Sequence, residues 1–521
     1  MSFEIRFTDL AARIGRLETT HGVLETPAFI PVVHPVRQAI SSEFLKDLGF
    51  NGVITNAYIA LRHYGDEARK RGIHNIIKYD GIIMTDSGGY QVLEYGSIGI
   101  DPAIIAQFQK DIKSDICVPL DKPTGRGLKY ETAKEYVDQT LKNAKETLEI
   151  VSVEKRDSNT TNKADPIWVG PIQGSEHSDL VKYSADTLDQ MGFRLLALGS
   201  PVELMEAYEF ATLSCMIATT KRSIPSKPLH LFGAGHPLTI PLVVALGCDM
   251  FDSASYMLYA RFNRYMHKNG ISRLDDLSYL TCPCQICSTY TIKELVEMEK
   301  DKRTIEIAKH NLYVLKSEIS SVKQAIIDGK LWEYIMQKAH CHPKLMEATQ
   351  LFKNFEFLES GTPLFKEKAV FLYDPIDQYR PEALRFRRMT SNFRKLKNKK
   401  ILILCVESNT HPFYSTSDFL GIVKKYPTAQ ICTYNPFLGI IPVEICDIFP
   451  ASHNLMSKNQ RYHVDDYPTF IESLMRFISS NKFEEIIVIA DNFMQNVLKD
   501  IKIKELNLKI KVFNYNRDII S

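Results

Sequence analysis

The chain has 521 residues, 45% of them hydrophobic and 24% charged, with a formal net charge of +2. That length exceeds one ordinary domain, and the apolar content supplies more than one core. The near-neutral balance excludes a polybasic or polyacidic protein and confines any nucleic-acid surface to a local patch. The start, Met-Ser-Phe-Glu-Ile-Arg-Phe, carries no apolar leader, and no run approaches the roughly 20 apolar residues of a membrane span. The expectation is a cytoplasmic protein with no membrane partner.

Short apolar, β-branched segments recur through the first half at 28–33, 52–56, 81–86, 115–121, 167–173, 195–199, 230–233 and 248–252. Helical periodicity fills most intervals, at 104–112, 131–151, 180–191, 204–219 and 237–246. Strand and helix alternating in this way predict an α/β protein built on a (β/α)8 TIM barrel rather than an open sheet. In such barrels the working residues sit at the C-terminal ends of the strands, where Asn56, Asp86, Asp121, Gln173 and Asp252 all fall. The Asn/Thr/Ser-rich stretch 158–164 reads as a surface loop. Helices are expected at 292–302 and 305–329.

From 379 to 400 nine cations stand against one acid, Glu382, with Tyr379, Phe386 and Phe393 interleaved. Such a run is a solvated face or a strip on which bases stack while cations neutralise phosphates. Beyond it an α/β unit is expected, with strands at 401–406, 429–434, 485–490 and 510–513 and a helix at 470–479. The predicted division is a TIM-barrel catalytic domain over 1–345 with a zinc arm at about 278–330, a small accessory α+β domain over 346–398 holding the basic segment, and a C-terminal α/β accessory domain over 399–521.

The most specific local pattern is Cys282-x-Cys284-x2-Cys287, followed after 22 residues by His310. Three thiols and an imidazole complete a four-coordinate shell with no open position, so one structural Zn2+ per chain is expected and the chemistry must come from other side chains. His267, His340 and His342 compete for the fourth place. Of the ten cysteines, Cys117, Cys215, Cys248, Cys405, Cys432 and Cys446 lie in apolar stretches and read as buried free thiols, as in a reducing compartment.

In Met84-Thr-Asp86-Ser87-Gly-Gly-Tyr90-Gln91 a strand-end carboxylate precedes two glycines and an aromatic. The glycines allow close approach of a flat ligand on which Tyr90 can stack; the alternative is a tight turn whose Asp caps a helix. Asp252 stands at the end of the eighth segment, either ion-paired with Arg261 or Arg264 or placed to attack a sugar anomeric carbon while a second carboxylate shuttles a proton to the leaving group. Asp121 and Gln173 together can read a purine edge, and Phe232 can wall the base opposite Tyr90; singly, each is equally a satisfied strand-end or core residue.

Taken as a set, these strings resemble the tRNA-guanine transglycosylases, most closely the archaeal, archaeosine-type members. The resemblance rests on Thr26-Pro27-Ala28, Thr55-Asn56-Ala57-Tyr58, Thr85–Gln91, Gln173-Gly174, His230-Leu-Phe232-Gly-Ala-Gly-His-Pro237, Asp249-Met-Phe-Asp252-Ser-Ala-Ser-Tyr256 and His310-Asn-Leu-Tyr313, and it covers about residues 1–345. It implies exchange of guanine 15 in the D-arm of tRNA for 7-cyano-7-deazaguanine. Asp252 would be the nucleophile in a covalent ribosyl–aspartate intermediate, and Asp86 the general acid and base. Asp121 and Gln173 would contact the base edge, Tyr90 and Phe232 its faces, and Ser87 and the Gly199 backbone would add weaker contacts. A homodimer is implied too.

Two features depart from the pattern. Gly199-Ser200-Pro201 replaces a Gly-Gly pair, and no PUA-like segment is recognisable after the α/β unit, so a separate PUA-bearing protein is a candidate partner and the stretch 385–400 a candidate tRNA grip. The competing readings are a catalytically inactive tRNA-binding paralogue, against which both aspartates argue, and a queuine-type enzyme acting at the anticodon.

Overall fold

Pairing of the β-branched runs dominates the computed structural model, which describes residues 3–89, 101–157, 165–407, 412–456, 464–500 and 509–514. The chain divides into two compact units, one of residues 1–327 and 331–351, the other of residues 328–330 and 352–521.

In the first unit, β1 (Phe3–Asp9), β2 (Ala12–Thr19) and β3 (Gly22–Thr26) form an antiparallel sheet. Eight parallel strands follow: β4 (Ala28–Pro31), β5 (Gly52–Asn56), β6 (Ile82–Asp86), β7 (Ile116–Cys117), β8 (Ile167–Ile172), β9 (Leu195–Leu198), β10 (Leu229–Leu231) and β11 (Met250–Ser253). β11 pairs back onto β4, from Met250 opposite Ala28 to Ser253 opposite Pro31, and a parallel bridge from Val32 to Ile54 joins β4 to β5. The ring is therefore closed, and each of the eight expected segments supplies one strand. Ile30, Ile54, Met84, Ile116, Val169 and Met250 fill its interior together with Leu17 and Leu24, so the N-terminal sheet plugs the barrel. That sheet was not expected from the sequence: Ile5 and Phe7 of β1 stay nearly half exposed, which blurs the apolar alternation.

The expected helix 204–219 is two helices, Val202–Glu206 and Phe210–Ser223, because Tyr208 turns left-handed (φ 58°) and stacks on His342 with ring centroids 4.7 Å apart. The helix expected at 292–302 stops at Glu297, and the carboxylate of Glu299 caps a new helix, Lys300–Ile327, by accepting from the amides of Asp301 and Lys302. Before it, β12 (Arg264–His267) and β13 (Gly270–Arg273) make a hairpin. The loop expected at 158–164 lies outside the described residues.

In the second unit β14 (Val370–Leu372) pairs with β18 (Asn454–Met456). A five-stranded sheet has the order β17-β16-β15-β19-β20, where β15 is Ile401–Val406, β16 Gln430–Asn435, β17 Gly439–Pro442, β19 Glu485–Ala490 and β20 Lys509–Asn514. The antiparallel β17 and the β14–β18 pair, three or four residues each, carry too little pattern to be read from sequence. The basic stretch is consumed by this fold to a degree its composition hides. Arg380 is fully buried and, with Lys366, ion-pairs Glu382. Burial opposes ionisation of Glu382, yet these two cations hold its carboxyl below the usual range. Arg387 donates to the carbonyls of Phe437 and Gln378, and Arg385 to those of Glu359, Thr362 and Pro363. Phe386 is core, and Phe393 stacks on Phe477. Arg388, Arg394, Lys397 and Lys400 remain exposed.

Five of the six cysteines expected to be buried are so. Cys215 is exposed, because it falls on the outer face of the helix Phe210–Ser223. Among the described residues no helix is long and apolar enough to cross a membrane.

Candidate active site and metal centre

The C-terminal ends of the barrel strands open into a cavity of about 1320 Å³ lined by Asn56, Asp86, Asp121, Gln173, Phe232 and Asp252 among others. Asp86 ends β6. Its Oδ2 accepts from Asn56 Nδ2 at 3.1 Å, while Asn56 Oδ1 caps the helix Ala57–Tyr64 through the amide of Ile59 (2.8 Å). Burial raises the Asp86 carboxyl to about 7, the charges of Asp121 and Asp252 add to the rise, and the amides of Gly88 and Ser87 oppose it. A carboxyl poised there gives or takes a proton near neutrality.

Asp121 and Gln173 meet directly, Gln173 Nε2 donating to Asp121 Oδ2 at 2.6 Å. Burial lifts the Asp121 carboxyl to about 6 against the pull of that hydrogen bond. The amide orientation of Gln173 is set from behind: its Oε1 accepts from the Thr124 amide (3.1 Å), the Thr124 hydroxyl (3.0 Å) and the Ser200 hydroxyl (2.9 Å). Ser200 is left-handed (φ 62°), and its Oγ in turn accepts from the amides of Thr124 and Gly125, both at 3.1 Å. A Cβ at Gly199 would fall 2.2 Å from Gln173 Nε2, and one at Gly89 2.1 Å from Asp121 Oδ1. These glycines make room for the two polar side chains, a more definite demand than the approach of a ligand.

Asp252 is the penultimate residue of β11 and has no ion pair to Arg261 or Arg264 among the described residues. Its Oδ1 accepts from His230 Nε2 at 2.7 Å and from the Gly233 amide at 3.2 Å. Asp249, three residues earlier, is bound at 2.7 and 2.8 Å to the guanidinium of Arg13, beneath the barrel. Odd spacing on a strand separates the two carboxylates, as alternation requires. Ser87 is fully buried and its hydroxyl donates to the Pro119 carbonyl, not into the cavity. Tyr90 lies outside the described residues.

Cys282, Cys284, Cys287 and His310 converge, with one donor atom of each within 4.8 Å of all the others. His310 Nδ1 stands 3.3 Å from Cys284 Sγ and 3.4 Å from Cys287 Sγ. Its Nε2 donates to the Met266 carbonyl at 2.7 Å, leaving the Nδ1 lone pair aimed at the sulfurs, and Tyr265 stacks on the ring. These residues can hold a metal. A second group, His21, His74 and Asp115, does not read the same way, because each Asp115 oxygen already takes one backbone amide and one imidazole.

A family profile described as TGT, queuine tRNA-ribosyltransferase, matches residues 9–344. The chain belongs to this family. Family relatives named tRNA-guanine(15) transglycosylase align along nearly all of it. That of Saccharolobus solfataricus is 41% identical over 501 residues (93% of this chain, 96% of the relative), and that of Sulfolobus acidocaldarius is 39% identical over 493 (94% and 95%). The relative from Methanocaldococcus jannaschii is 34% identical over the whole of this chain and 79% of its own length.

Sequence reasoning missed His230, Thr124 and the clasping role of Ser200. A histidine two residues before Phe232 was visible in the family string, but nothing local says which strand-end carboxylate it meets.

Proposed function

We propose that this protein is a pentosyltransferase that exchanges guanine 15 of tRNA for 7-cyano-7-deazaguanine by double displacement. Asp252 attacks C1′ of the ribose, forming a C1′–O ester as the C1′–N9 bond breaks, and Asp86 gives its proton to the departing guanine. The nitrogen of the incoming base then attacks C1′, its proton passes to Asp86, and Asp252 leaves. One N-glycosidic bond replaces another, so no nucleotide energy is needed. The carrying observation is that both carboxylates line one cavity while Asp86 holds a proton to about pH 7.

Asp121 accepts from the amide and amine donors of the base, and Gln173, with its oxygen tied back, offers N–H to the carbonyl. Phe232 covers one face of the base; Tyr90 covers the other, Gly199 contributes backbone, and Ser87 supports the turn. Cys282, Cys284, Cys287 and His310 hold one zinc ion, which supplies structure to the arm. The donor spacing supports zinc: a tetrahedron with Zn–S of about 2.3 Å and Zn–N of about 2.0 Å puts S and N about 3.5 Å apart, against 3.3 and 3.4 Å here. Exposed Arg37, Arg261, Arg264 and Arg273 line the cavity and favour tRNA phosphates. A cytoplasmic homodimer with the domain limits given above completes the reading.

Labelled guanine incubated with purified protein and unmodified tRNA tests it: label should enter at position 15, and denaturing gels should trap a protein–tRNA adduct that is absent in Asp252→Asn. Label at another nucleotide, or an adduct in that variant, overturns it.

A further inference from the structure

His230 sits within β10, paired with Met250 of β11, and is fully buried. Its Nε2 meets Asp252 Oδ1 at 2.7 Å, and its Nδ1 is buried with no hydrogen-bond partner. The proton belongs on Nε2: a carboxylate oxygen accepts there, and a proton on Nδ1 would bury an unpaired donor, which costs more than a buried lone pair. Phe232 packs against the ring at 4.8 Å and holds its plane. Oδ1 of Asp252 thus receives two donors, His230 and the Gly233 amide, while among the described residues Oδ2 receives none. The asymmetry gives the two oxygens different tasks.

We propose that His230 is a positioning residue that assigns Oδ2 of Asp252 to the attack and assists the departure of that carboxylate in the second displacement. This rests on Asp252 being the nucleophile. When Oδ2 bonds to C1′, Oδ1 becomes the ester carbonyl, already held by two N–H groups. When the second base attacks C1′ and the C1′–Oδ2 bond breaks, the electron pair returns to the carboxylate, and the same two donors stabilise the charge as it develops. Donors on Oδ1 temper the first step and favour the second, so their loss falls mainly on release of the ribosyl group.

The test compares His230→Phe, His230→Gln and His230→Asn in the full chain bound to tRNA. An amide nitrogen of Gln reaches the place of Nε2, whereas that of Asn stops short. Expected are a loss of about 10–100-fold in kcat for Phe and Asn, unchanged KM for the base, a trapped adduct that decays more slowly on addition of guanine, and recovery in Gln. If Phe does not fold, the Gln and Asn pair carries the comparison. Exchange within about threefold of the parent, slower turnover without a longer-lived adduct, or no advantage of Gln over Asn overturns the proposal. Asp252→Asn, run in parallel, separates the outcomes: an adduct there overturns the nucleophile itself, whereas adduct loss there with unaffected His230 variants overturns only this inference.

Discussion

Burial and two neighbouring carboxylates keep a proton on Asp86 up to about pH 7, and that has consequences for both rate and stability. If guanine departure needs this proton, exchange should slow as pH rises through about 7, and a pH–rate profile will read the limb directly. The folded carboxyl is raised above its ordinary value of 3.8, so the fold is favoured by protonation and loses stability as pH climbs from about 4 to about 7. Asp86→Asn removes that cost. We expect exchange to fall by several powers of ten and thermal stability to rise above pH 7, by about 2–4 kcal/mol, with the gain vanishing near pH 4. At Ser200 the hydroxyl helps to orient Gln173, and Ser200→Ala removes one of the three donors that hold its oxygen back, leaving the two of Thr124. KM for guanine should rise about 5–10-fold, the loss of one hydrogen bond of about 1 kcal/mol, with little change in kcat at saturating base.

The arm that carries the cysteines is built from short pieces, a helix of five residues (Gln285–Thr289) and one of six (Ile292–Glu297), beside the long Lys300–Ile327. Isolated helices so short are not stable in water, and a metal held by Cys282, Cys284, Cys287 and His310 would tie them together. Metal analysis should find one zinc per chain. Chelation or Cys284→Ser should lower the melting temperature and raise protease cleavage between 278 and 300. A metal content near zero in folded, active protein would remove this role.

At the scale of the whole molecule a net charge of +2 leaves tRNA binding to local patches. The exposed arginines at the cavity and the basic stretch differ in kind, because Arg380, Arg385 and Arg387 already serve the second unit. Charge reversal at Arg261 and Arg273 should weaken tRNA binding and flatten its dependence on salt by about one unit of slope per lost phosphate contact. Reversal at Arg387 should instead destabilise the second unit, read by its melting transition. Equal loss of affinity from both sets would show that the buried arginines act on RNA indirectly.

Strand placement was legible because apolar runs of four to seven residues, most ending in a polar residue or glycine, repeat eight times, and burial on both faces of a parallel barrel enforces that pattern wherever it occurs. The cluster of three thiols and an imidazole was legible because three of its four residues lie within six positions. The aspartates were legible as candidates because strand ends are where a barrel exposes side chains. Tertiary structure alone decided their partners: that Asp249 answers Arg13 from 236 residues away, that His230 serves Asp252, that Ser200 helps to fix Gln173, and that the most basic segment buries two arginines, Arg380 and Arg387, in its own unit. Local pattern reports which face a residue presents, but charge and hydrogen-bond pairing depend on what the fold brings opposite it.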